Sequence, residues 1–84
     1  MNTKPSVTIQ LPTEPSYWGS TATESDVVRI LDNLESMIRG EFEKRAELQF
    51  ERTTAPRGNG VHSEDNVLAG QIHWWISLYW TAAL

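Results

Sequence analysis

Val67 to Leu84 constrains this chain more than any other stretch. These 18 residues contain no Asp, Glu, Lys or Arg, yet they hold three of the four tryptophans. No proline interrupts them, and Ser63, Glu64 and Asp65 before them offer an N-cap and acidic groups that complement a helix dipole. The segment therefore reads as a helix over about 63–83. On a helical wheel Asn66, Gly70, His73, Ser77 and Thr81 form one narrow polar stripe. Leu68, Ile72, Trp75, Ile76, Tyr79, Ala82 and Ala83 define the apolar centre, flanked by Trp74, Leu78 and Trp80. A helix packed on one neighbour needs an apolar arc of only about 100°. This arc covers more than half the circumference, so the helix calls for at least two neighbours.

The rest of the chain limits who those neighbours can be. Eighty-four residues make one domain and bury only roughly 60% of the surface exposed by the unfolded chain. Small domains compensate with disulfides, a metal or a partner. Cysteine is absent, and His62 and His73 are the only histidines, so neither a disulfide nor a structural metal is expected. A membrane span is disfavoured because Gln71, His73, Ser77 and Thr81 interrupt the run and no basic anchor flanks it. The remaining candidate is another protein chain. Two copies packed helix to helix would bury the wide arc on both sides. A homodimer is the expected state.

Upstream, Val27, Ile30, Leu31, Leu34, Met37, Ile38 and Phe42 recur at i, i+3, i+4, i+7, an apolar stripe of helical period. Thr21 with Glu24, or Thr23 with Asp26, has capping-box spacing at its start. Glu35 with Arg39 and Glu41 with Arg45 are i,i+4 pairs on the polar side. The stripe frays after Phe42, and the helix is expected to run from 23 to about 50. Thr53–His62, with Pro56, Gly58 and Gly60, reads as a loop.

Residues 1–22 are rich in Pro, Ser and Thr. Ser6 to Leu11 alternates polar and apolar like a short strand bracketed by Pro5 and Pro12. Glu47 to Glu51 alternates too and is the one candidate to pair with it. The region as a whole reads as an extended arm, pinned to the body by Tyr17 and Trp18. The expected fold is thus mainly α: an arm over 1–22 and a two-helix hairpin over 23–84, forming a homodimeric helical bundle.

For function, the composition excludes more than it names. A net charge of −4 and a pI near 5.0 argue against a nucleic-acid binder, which needs a basic face. Mimicry of nucleic acid by acidic residues is disfavoured as well, because acids and bases are interspersed between Glu24 and Arg52. The N-terminal residues do not form a secretory signal, which makes the cytoplasm the default location. Arg57 in Arg-Gly-Asn-Gly precedes a helix start and could contact an anion, although Glu64 and Asp65 oppose it. His73 and Ser77 lie one helical turn apart without a nucleophile motif around them, so no catalytic group and no cofactor are expected. The reading is a small acidic, non-enzymatic interaction protein, an inhibitor or adaptor that binds another protein. By analogy it would suit a phage or mobile-element antagonist of host machinery. Its interface would comprise Ile72, Trp74, Trp75, Ile76, Leu78, Tyr79 and Trp80. The alternative is a small-ligand binder with an aromatic pocket at the oligomer interface, lined by Trp74, Trp80 and His73.

Overall fold

The computed structural model describes residues 3–54 and 60–83, with side chains up to Tyr79. The elements are β1 (Ser6–Pro12), a 3-10 turn (Pro15–Tyr17), α1 (Glu24–Phe42), β2 (Glu47–Thr53), β3 (Val61–Ser63) and α2 (Asn66–Ala83). The three strands form one mixed sheet in the order β2-β1-β3. β1 runs parallel to β2, from Ser6 opposite Glu47 to Pro12 opposite Thr53, and antiparallel to β3.

The chain is therefore α+β, two helices with a three-stranded mixed sheet, and the expected mainly-α hairpin and all-α helical bundle are both overturned. Two readings carried the error. Ser6–Pro12 is the central strand of a sheet, with a neighbour on each side, and not part of an extended arm pinned to a helical hairpin by Tyr17 and Trp18. The first long helix stops at Phe42, and the residues assigned to its last turns form β2. The physical reason is the alternation itself. Val7, Ile9 and Leu11 are buried, while Thr8 and Gln10 between them are only half-buried. Leu48 and Phe50 turn to the same covered face, and Glu47, Gln49 and Glu51 to the open one. A period of two buries this pattern in a sheet, whereas a helix would scatter it around its circumference.

α1 is the crossover that a parallel β1–β2 pair requires. Thr23 caps it with a full capping box: its Oγ1 accepts from the Asp26 amide at 3.2 Å, and Asp26 Oδ2 accepts from the Thr23 amide at 2.9 Å. The Thr23 amide bond leads the causes that hold the Asp26 carboxyl below its ordinary value of 3.8, assisted by the Thr23 hydroxyl and Arg29. At the far end Lys4 Nζ donates to the Glu43 carbonyl at 2.8 Å, placing a cation at the negative end of the helix dipole. The apolar stripe supplies Val27, Leu31, Leu34, Ile38 and Phe42 to the core. Met37, expected on that stripe, is exposed.

Two polar links tie α1 and the turn that follows it to their neighbours. Arg52, at the end of β2, forks across two carboxylates of α1: Nε to Glu35 at 2.8 Å and Nη2 to Asp32 at 2.7 Å. These bonds raise the pKa of the guanidinium above its usual value, Asp32 contributing most. The expected Glu35–Arg39 pair is thus displaced, and Arg39 lies over the Phe50 ring, 4.8 Å from its centre. Arg45, expected to pair with Glu41, bonds the Gln71 side chain of α2 and lies over Phe42.

Trp18 fills the end of the core. It is buried, and its indole nitrogen donates to the Pro12 carbonyl at 2.9 Å. Gly60 sits where β3 begins, with φ at 80°, and its carbonyl accepts from the Gln10 amide at 2.6 Å. A Cβ there would lie 2.9 Å from the Gln10 carbonyl oxygen. Only glycine combines that dihedral with that approach at low cost.

Candidate functional site

α2 begins at Asn66, three residues after the cap expected at Ser63. Asp65 serves as the cap instead, accepting from the Leu68 amide at 2.9 Å. Ser63 belongs to β3, and its hydroxyl donates to the Ser6 carbonyl at 2.7 Å while accepting from the Asp65 amide.

The helix then divides lengthwise into two regions. Its first half reaches the core through Leu68 and Ile72, both buried. Beyond Ile72 none of the described side chains is buried. A helix of 18 residues is about 27 Å long.

It also divides around its circumference. Trp75, Ile76 and Tyr79 are half-buried and packed against the core. Trp75 meets the edge of Phe42 with ring centres 6.4 Å apart and stacks on Tyr79 at 6.1 Å. Val67, Trp74 and Leu78 lie on another side and are 73%, 66% and 53% exposed. Their spacing of seven and four residues places them on a single narrow stripe. Gly70 and Gln71 sit beside it, and a Cβ on Gly70 would meet nothing within 4 Å. A single wide arc in the sequence thus becomes two faces: one rests on the body and one meets solvent.

Of the residues expected at the interface, Ile72 belongs to the core, Trp75, Ile76 and Tyr79 to its margin, and Trp74 and Leu78 to the open stripe. The side chain of Trp80 lies outside the described residues, as does Arg57. His73 is half-buried, and the Ser77 hydroxyl donates to its main-chain carbonyl at 3.0 Å. That bond is the ordinary one between a serine and the preceding helical turn. Of the two arm residues, Trp18 is buried and Tyr17 is 44% exposed. Val67 completes the open stripe and was missed by the sequence reading. Its separation of seven residues from Trp74 was the available signal.

Among the described residues no cluster of three or more His, Cys, Asp or Glu could hold a metal ion. No helix among them is long and apolar enough to cross a membrane. No protein-family model, curated protein or solved structure matches this chain.

Proposed function

We propose that this chain is a small non-enzymatic binding module that engages another protein through the open stripe of α2. The observation that carries the reading is the exposure of Trp74 and Leu78 on a helix that already has a separate buried face. Apolar anchors at i, i+7 and i+11, on a helix without Asp, Glu, Lys or Arg, are what a helix-in-groove contact presents. The fitting partner offers an apolar groove with an uncharged floor. Trp74 is the hot-spot candidate, because tryptophan buries much apolar area with few rotamers to freeze. Inhibition or adaptor activity in the cytoplasm is the corresponding role. The small-ligand alternative is disfavoured, because Trp74 stands on a convex helix surface where a small molecule would stay largely in solvent.

The test is a capture experiment with intact protein, identification of the bound protein, and titration of that protein against wild type and Trp74→Ser. An affinity loss of at least about tenfold, with the melting temperature unchanged, supports the reading. Equal affinity for both forms overturns it.

A further inference from the structure

β2 is an edge strand, and its outer edge has a specific pattern. The Glu47 amide donates to Pro5 and the Thr53 carbonyl accepts from Thr13. In a parallel ladder this fixes the phase: residues 47, 49, 51 and 53 turn both backbone groups towards β1. Leu48, Phe50 and Arg52 therefore direct their N–H and C=O groups away from the sheet. Among the described residues no strand pairs with that side. The edge is seven residues long and contains no proline or glycine. Such an edge is a template for another strand.

We infer that a second copy of this chain occupies it, β2 against β2 in antiparallel register with Phe50 opposite Phe50. A two-fold axis normal to the sheet pairs residues whose numbers share a fixed sum and whose side chains share a face. Three registers keep most of β2 paired. Centring on Gln49 sets Glu47 against Glu51 twice, and centring on Glu51 sets that carboxylate against itself. Like charges directly opposite are destabilising. Centring on Phe50 pairs no like charges. Gln49 faces Glu51 of the second copy, Glu47 faces Thr53, and Leu48 faces the stem of Arg52. The same register alone brings all three outward residues together, 48 with 52, 50 with 50 and 52 with 48, for about six backbone hydrogen bonds. The other two registers offer about four. Hydrogen bonding and charge thus select one arrangement independently.

The side chains suit it. Gln49 is exposed on the open face, so its amide is available to donate. Glu51 already accepts from Gln10 Nε2 at 3.2 Å, but a carboxylate has room for further donors. The product is a continuous six-stranded sheet that leaves the α2 stripe free. This inference does not depend on the α2 reading, which would gain two copies of its stripe per particle.

Sedimentation equilibrium over micromolar to millimolar concentrations tests it on the intact chain. Wild type should reach twice the 9.5 kDa chain mass. Gln49→Glu, which opposes Glu51 twice per dimer, should raise the dimer dissociation constant about tenfold. Gln49→Lys should lower it, and Gln49→Glu combined with Glu51→Lys should restore it. Trp74→Ser should leave it unchanged. A monomer at every concentration overturns the inference. So does a dimer that ignores the Gln49 substitutions, or one that Trp74→Ser dissociates.

Discussion

The indole nitrogen of Trp18 donates to the carbonyl of Pro12 at 2.9 Å, across the turn that leads from β1 towards α1. The bond is buried, so both its halves count. Trp18→Phe keeps apolar area but orphans the carbonyl and should cost about 1–2 kcal/mol. Trp18→Ala also opens a cavity and should cost about 3–5 kcal/mol. For a domain of this size each kcal/mol lowers the melting temperature by about 4–8 °C. Thermal denaturation of the two variants checks both the values and their order.

Removal of residues 1–12 takes away the strand that pairs with both others. The expected outcome is loss of cooperative unfolding and of near-ultraviolet circular dichroism. A truncated chain with a sharp thermal transition would contradict the central place of β1.

Three glycines should respond to alanine in opposite directions. Gly60→Ala meets both a φ of 80° and the Gln10 carbonyl oxygen, and should cost about 1–3 kcal/mol. Gly40 and Gly70 lie within helices, and a Cβ at either meets nothing within 4 Å. Alanine there should stabilise by about 0.8–1 kcal/mol each. Urea denaturation separates the two classes.

On α2 the two faces predict a split. Ile72→Ala should cost about 2–5 kcal/mol, because its side chain is fully buried. Trp74→Ser should change stability by no more than about 0.5 kcal/mol, because most of the indole is already in water. Parallel melts of the two variants decide it.

The α1 cap should register in acid. The folded pKa of Asp26 is depressed, so its stabilisation is fully present above the unfolded value of about 3.8 and is lost as pH falls through the lower folded value. Asp26→Asn should melt below wild type at pH 6, and the gap should close as pH falls below about 4. A gap that widens in acid would reverse the sign.

Much of this was legible in the residues. The stripe from Val27 to Phe42 marked α1, but the end expected near residue 50 overran it, because the helix stops at Phe42 and β2 follows from Glu47. The alternations at 6–11 and 47–51 were both visible. Glu47–Glu51 was also the one candidate partner for the first strand, but the helix expected to run to about 50 claimed the same residues, and nothing local fixes the parallel register of strands offset by 41 positions (Ser6 opposite Glu47). β3 was out of reach, since three residues cannot display a period. The excess apolar width of α2 was plain, but which part the body covers depends on a sheet assembled from elsewhere in the chain.

That offset of 41 positions also governs the order of events when the protein folds. α1 contains its own cap and hydrogen bonds and can flicker into existence within microseconds. β1 can do nothing comparable. Its partners lie beyond the helix, and the chain must close a long loop before the first rung of the ladder repays the lost entropy. Substitutions at Val7 or Ile9 should therefore affect the refolding rate more than those at Thr23, if strand docking is the barrier step. Until that docking, the apolar side of α1 and all of α2 face water together, which makes nascent or refolding chains the form most prone to aggregate.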